Sequence, residues 1–564
     1  MIRQLNNFIS ILNPSQKSKF YWYLFSVVLI GIIEITGLIT IIPLVNIFLE
    51  KDIPQYLNFL TDYIENFDDL LIVDFIVLYI GFVVIFYFLK FIIISISYYF
   101  QIKFSFNIQK DISVDILNDF LTKDFFLYSS KSTPMIIRDA VGEVAILSGA
   151  IQSYILMFFE FIILFISLFI ILYFFDISAL FFAIFIFILF YLVFISISKL
   201  LKKWGHLRQI NEEKRIQILK DSLGSLKEIK FLSLEKKLKD SFSDATKIAY
   251  DANAKNIFLK FIPRYAVDFV AILIFFALAT FILNENNFDS FTVYTGILII
   301  LMSRVVPSVS RIASYVQNIK FNEVVFENVY DRFKDNQPTE LKKLKPTNFK
   351  SVEFKNVTFK YIESKHNILD KFNFKIAKGE KVLILGESGS GKSTFIDLFI
   401  GLQKIKSGEI YYNGNLMKNY SKLQLNDIIS YLPQEPYLFN NSLVSNITLL
   451  DDIKNVDETR LQECFNVSCI SSFINKLPNG KHTFIGEDGA KLSGGQKKRI
   501  GIARSIYNLK DIIVLDEPTS NLDENTENQV IKNIISKKDL TIIMVSHKEK
   551  FSELFDKTIK FNNI

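Results

Sequence analysis

Apolar residues fill membrane-length stretches before about position 320 and only strand-length bursts after about 350. Crossing the hydrocarbon takes roughly 20 residues of helix. Six stretches reach that length, near 20–49, 72–101, 148–175, 177–200, 256–283 and 290–317. The polar stretches 102–147 and 201–255 hold few breakers, which predicts helices continuing beyond the membrane. After 350, short apolar runs alternate with helical stretches, the pattern of an α/β fold. Pro338 and Pro346 flank the charged run Glu340 to Lys345 and mark a linker. The expected division is an α-helical membrane domain of six spans over 1–335, a linker over 336–350 and an α/β domain over 351–564.

Composition and charge sharpen this division. The 57 phenylalanines are concentrated before about residue 320, in and around the long apolar runs, which suggests a membrane. An even number of spans puts both ends of the chain on one side. Segment 51–71 sets Lys51 against Asp52, Asp62, Glu65, Asp68 and Asp69 and belongs outside. Segment 199–215 sets Lys199, Lys202, Lys203, Arg208, Lys214 and Arg215 against Glu212 and Glu213 and belongs inside. The net charge of +6 carries no basic cluster, which argues against a nucleic-acid partner. Cys464 and Cys469 form neither a disulfide framework nor a metal pattern, which fits a reducing cytosol. Residues 1–19 are polar and the first apolar run is too long for a cleavable leader, so none is expected.

The chemistry is concentrated in the second half. Gly386-Glu387-Ser388-Gly389-Ser390-Gly391-Lys392-Ser393 follows the apolar run Lys381–Leu385 and opens a helical stretch that continues with Thr394. That is the phosphate-binding loop pattern in its proper setting. Its glycines let backbone N–H groups face phosphates, Lys392 reaches the β- and γ-phosphates of ATP, and the Ser393 hydroxyl can hold Mg²⁺. A second apolar run, Ile512–Leu515, ends in Asp516 and Glu517. Such an end suits Mg²⁺ ligation by Asp516 and polarisation of the attacking water by Glu517.

Leu492-Ser493-Gly494-Gly495-Gln496 lies 20 residues before Asp516 and resembles the signature of ATP-binding cassette transporters. Further elements of that family follow in order. Tyr361 looks like the aromatic that stacks on adenine, and Gln434 like the loop glutamine linking the Mg²⁺ site to the membrane domain. Glu487 lies in a segment similar to the one that touches cytosolic loops in exporters. Ser520-Asn521-Leu522-Asp523 resembles the D-loop, with Asn521 in place of the usual Ala. His547 looks like the switch histidine that senses the γ-phosphate. Ser493 and the two glycines open a helix whose N–H groups favour an anion. In the family that anion is the γ-phosphate held by the opposite subunit. The resemblance therefore implies a homodimer with two composite sites. Six spans ahead of the nucleotide domain resemble the exporter branch, which implies alternating access. Ser132–Arg138 and residues 222–235 look like its coupling helices.

The cargo is less sharply written. Charges within apolar spans are costly and commonly functional. Glu34, Glu160, Arg264, Asp268, Arg304 and Arg311 stand in such places. Arg264, Arg304 and Arg311 are the candidate substrate contacts. Arg264 and Asp268 lie four apart and can neutralise each other. Segment 54–71 is amphipathic and can lie on the outer lipid surface. That segment and the string Arg304 to Ile312 are similar to lipid-linked oligosaccharide flippases of bacterial N-glycosylation. The expected cargo is thus an amphipathic, lipid-linked or otherwise anionic glycolipid, with the protein in the bacterial cytoplasmic membrane. Export of peptides or hydrophobic drugs is the alternative. A further one is an ATP-gated regulator or channel, against which Glu517 and His547 speak.

Overall fold

The computed structural model describes residues 2–41, 43, 72–122, 132–174, 178–284, 288–334, 349–361, 364, 366–420, 422–450, 455–537 and 540–561. They form two compact units. The end of the first predicted span, the amphipathic segment 54–71 and most of the linker lie outside the described residues.

The first unit is helical. Its main elements are α1 (Ile2–Ile11), α2 (Pro14–Ile39), α3 (Ile72–Thr122), α4 (Val144–Phe174), α5 (Ser178–Gly224), α6 (Glu235–Asn284), α7 (Phe288–Phe321) and α8 (Glu323–Lys334). Among the described residues, Pro14–Gly37, Ile76–Thr122 and Thr133–Ser167 are long and apolar enough to cross a membrane. The predicted fourth, fifth and sixth spans fall within α5, α6 and α7, much of whose apolar length lies outside the described side chains. The polar extensions continue the same helices: α3, α5 and α6 measure 51, 47 and 50 residues. The outward faces of α3 and α4 carry bare aromatics such as Phe88, Phe91 and Phe165, which need an apolar surrounding rather than water. The inner core packs Phe8, Phe20, Ile108, Leu147, Ile151, Ile163 and Ile319 together.

Two short helices interrupt the polar stretches. Thr133–Ile137 starts at Ser132, whose hydroxyl accepts the Met135 N–H, and Pro134 fits its first turn. Leu226–Leu232 ends at Ser233, which is left-handed at φ 51°. A π-helical turn over Arg138–Glu143 follows the first of them.

The second unit carries two sheets. Strands β1 (Ser351–Phe359), β2 (Leu369–Ala377), β4 (Ser407–Tyr412) and β5 (Asn415–Leu416) form an antiparallel sheet in the order β2-β1-β4-β5. Strands β3 (Lys381–Gly386), β6 (Ile429–Leu432), β7 (Ile512–Asp516), β8 (Thr541–Ser546) and β9 (Lys557–Phe561) form a parallel sheet in the order β6-β7-β8-β3-β9. The central strands β7 and β8 are buried along their whole length because both faces are covered. In β3, Val382 and Ile384 enter one core while Leu383 and Leu385 enter the other. The carboxyl ends of β7, β8 and β3 lie side by side, with Asp516 opposite Val545 and Leu385 opposite Ser546. Open α/β sheets bind ligands at that edge.

Candidate nucleotide site and membrane charge pairs

The loop from Gly386 to Ser393 joins β3 to helix α9 (Lys392–Phe399). Gly391 has φ 95°, and a Cβ there would press on Ile368 at 3.1 Å. Glycine is the residue that tolerates this. Lys392 is buried, and its ammonium donates to the Gly386 and Glu387 carbonyls at 2.7 and 2.6 Å. Burial lowers its pKa, against the raising effect of Glu517 and Asp516. The Ser390 hydroxyl is buried and bonds no partner among the described residues. Ser388, Gly389 and Ser393 are exposed. Thr394 is buried, and its hydroxyl lies 3.2 Å from that of Tyr361, whose ring meets Phe359 edge-on.

The three adjacent strand ends bring the other predicted groups together. Glu517 follows β7, and its backbone N–H donates to Val545. Its φ of 46° is left-handed, unusual for a residue with a side chain. The His547 ring reaches Glu517 Oε1 through Nε2 at 2.6 Å and the Gly386 carbonyl through Nδ1 at 2.9 Å. Gln434, two residues beyond β6, donates its amide to Glu517 Oε2 at 3.2 Å. A bonded row thus runs Gln434–Glu517–His547–Gly386. Asp516 beside it is buried, and burial with the Glu517 charge pushes its carboxyl up to about 6, against the lowering effect of Lys498, Lys392 and His547. Burial, with Asp516 adding, pushes Asp397 on α9 to about 6 as well.

No group of three His, Cys, Asp or Glu side chains stands ready for a metal among the described residues. Mg²⁺ does not need one, since it takes one or two carboxylates and leaves its other positions to water and phosphate. The buried Asp516 carboxylate, the Ser393 hydroxyl and the Gln434 amide oxygen are hard oxygen donors, so the residues fit that ion.

Ser493 caps helix α10 (Gly494–Tyr507) with a complete capping box: its hydroxyl takes the Gln496 N–H and Gln496 returns to the Ser493 N–H. Ser493 and Gly494 are exposed. A Cβ on Gly495 would come within 2.7 Å of the Asn521 carbonyl, so the unusual D-loop residue packs on the signature. Asp523 caps helix α11 (Glu524–Ile535) through the Thr526 N–H, which lowers its pKa. Sequence reasoning missed Lys498, a lysine only 3% exposed that donates to the Gln434 carbonyl.

In the helical unit the substrate candidates separate. Arg264 is exposed and makes no ion pair with Asp268 among the described residues. Arg311 of α7 grips Glu160 of α4 with two bonds, 2.5 and 3.1 Å long. Arg304 of α7 lies 2.6 Å from Glu34 of α2, and Lys90 of α3 lies 3.1 Å from the same carboxylate. Lys90 was not singled out, though a lone lysine in an apolar span is the signal that would have found it. Two cations share one carboxylate there, and the buried Arg304 Nε finds no acceptor among the described residues.

Residues 6–305 match the family model described as ABC transporter transmembrane region, and residues 369–520 match the one described as ABC transporter. A pediocin PA-1 transport/processing ATP-binding protein of Pediococcus acidilactici is 36% identical over 195 residues, 34% of this chain and 27% of that one. An ATP-dependent lipid A-core flippase of Vibrio parahaemolyticus is 32% identical over 200 residues, 35% of this chain and 34% of that one. The chain therefore spans only about a quarter to a third of these relatives' lengths in the matches. A solved bacterial Atm1-family ABC exporter with ATP bound shares the fold at a TM-score of 0.75 and 18% identity, over 98% of this chain and 94% of that one. With a family model matched across more than half its length, and a phosphate loop and signature in their folded places, the chain belongs to the ABC transporters.

Proposed function

We propose that this protein is one half of an ATP-driven exporter, in which two copies hydrolyse ATP to move an amphipathic anionic substrate across the bacterial cytoplasmic membrane. The single observation that carries hydrolysis is the bonded row Gln434–Glu517–His547–Gly386. In this reading Glu517 polarises the attacking water while His547 and Gln434 fix its carboxylate. Lys392 and the loop amides hold the phosphates, with Gly386, Ser388, Gly389, Gly391 and Thr394 shaping the loop. Tyr361 stacks on adenine. Ser393, Asp516 and Gln434 would hold Mg²⁺, which neutralises phosphate charge when bound. The exposed helix start at Ser493, Gly494, Gly495 and Gln496 serves the nucleotide of the second copy, and Asp523 caps the helix after the D-loop. The membrane domain occupies 1–335, the linker 336–350 and the ATP-binding domain 351–564. Ser132–Arg138 and residues 222–235 transmit the motion.

For the cargo, the excess of cations at Glu34 supports an anionic group, and a lipid-linked oligosaccharide or related glycolipid combines that charge with a long apolar part. Arg304 and Arg311 are the contacts, with Arg264 third. The test is ATPase activity in lipid nanodiscs. A polyprenyl-diphosphate-linked oligosaccharide should stimulate turnover several-fold, while a cationic peptide and a neutral drug should not. Stimulation by the peptide alone would replace this reading with peptide export.

A further inference from the structure

Lysine is among the residues least often buried, because removing an ammonium from water is costly unless it is bonded. Two lysines stand side by side early in α10. Lys497 turns outward and pairs with Asp488 at 3.2 Å. Lys498 turns inward, is 3% exposed, and bonds the backbone carbonyl of Gln434, 64 positions earlier. Asp516, Glu517 and Glu435 face it electrostatically. Its stem rises from the helix whose first turn is the signature. Its head ends on the loop whose amide touches Glu517. A bond between an ammonium and a carbonyl is the strong, charge-assisted kind.

We propose that Lys498 is a positioning residue for hydrolysis: it ties the Gln434 loop to the signature helix and so makes the Gln434–Glu517 contact follow that helix. This rests on the roles proposed above for Gln434 and Glu517. The tie gives each domain an internal link from the surface offered to the second copy to its own water-polarising carboxylate. Displacement of α10 moves Lys498, the Gln434 carbonyl and then the Gln434 amide. Without the tie, the loop and the helix move independently.

The test uses the full chain in nanodiscs and two readouts. One is amide hydrogen exchange across residues 432–440 without nucleotide. The other is steady-state ATPase activity. Lys498→Met keeps the stem and removes the donor; Lys498→Arg keeps both charge and donor. Expected for Lys498→Met are roughly 10-fold faster exchange in that loop and a roughly 10-fold fall in kcat, as for a lost charged hydrogen bond. KM for ATP should stay within about 2-fold and the melting temperature within a few degrees. Lys498→Arg should recover most of both losses. Unchanged loop exchange in Lys498→Met overturns the proposal. So does a uniform rise in exchange over the whole domain in both variants, the mark of a packing role alone. Should Lys498→Met fail to accumulate, Lys498→Gln, neutral and shorter, must show the same loop-confined effect. Faster loop exchange with unchanged kcat would also sink the proposal, unless Glu517→Gln proves equally active. That last result would instead remove the catalytic roles on which it rests.

Discussion

His547 stands between Glu517 and Gly386, 2.6 Å from the carboxylate and 2.9 Å from the carbonyl. Both ring nitrogens thus face oxygen atoms. The phosphate-loop backbone and the Glu517 carboxylate are joined through one imidazole.

Replacing Glu517 with Gln keeps the shape of the side chain and removes its negative charge. Turnover should fall at least about 100-fold while nucleotide binding persists. Single-turnover kinetics beside a fluorescent-nucleotide titration read the two separately. Near-parental hydrolysis would remove Glu517 from its assigned role.

In the proposed dimer the exposed Ser493 of one copy and the buried Lys392 of the other would complete one composite site. Lys392→Ala and Ser493→Ala should each be inactive as homodimers. In a mixed dimer one site carries both lesions and the other neither. Titrating one variant into the other should therefore restore part of the activity. If nothing returns, crosslinking Ser493 to Lys392 of the other copy separates unshared sites from sites that must fire together.

Asp397 titrates at about 6 because burial disfavours its charge. An unfolded carboxyl loses its proton near 4, so this side chain destabilises the fold increasingly from about pH 4 to pH 6 and fully above that. The gap is worth up to about 3 kcal/mol. Asp397→Asn should therefore raise the melting temperature at pH 7.5 and have little effect at pH 4. An equal shift at both values would mean that packing rather than charge decides.

The membrane arginines should behave differently from each other. Glu160 is 3% exposed, and Arg311 is its ion-pair partner. Arg311→Ala leaves that carboxylate buried and should cost about 3–5 kcal/mol, seen as lost expression or thermal stability. Glu34 keeps Lys90 when Arg304 is removed. Arg304→Ala should thus leave folding and basal ATPase largely intact while reducing glycolipid stimulation about 10–100-fold. If the two variants are equally unstable, Arg304 is a structural residue.

What could be read from the chain and what could not divide by distance along it. The phosphate loop and the signature are local: glycines, a lysine and capping residues within a few positions suffice to announce them, and the elements around them follow the same logic. The capping box of Ser493 and Gln496 is written in three residues. Glu34 and Glu160 were visible as charges in apolar runs, but their partners were not. Arg311 lies 151 positions from Glu160, and no periodicity connects them. Lys498 was hidden for the same reason, because beside Lys497 it looks like an ordinary solvated pair. Arg264 and Asp268 teach the converse. Helical spacing allowed them to meet, yet among the described residues no ion pair joins them.

The left-handed backbone of Glu517 sets two selective pressures against each other at one codon. Glycine would relax a conformation held at φ 46°. If Glu517 polarises the water as proposed, laboratory evolution for heat resistance alone would favour losing it, whereas selection for turnover would restore it. A hardened variant of this transporter should accordingly be sought by changes elsewhere, with position 517 kept fixed in every library.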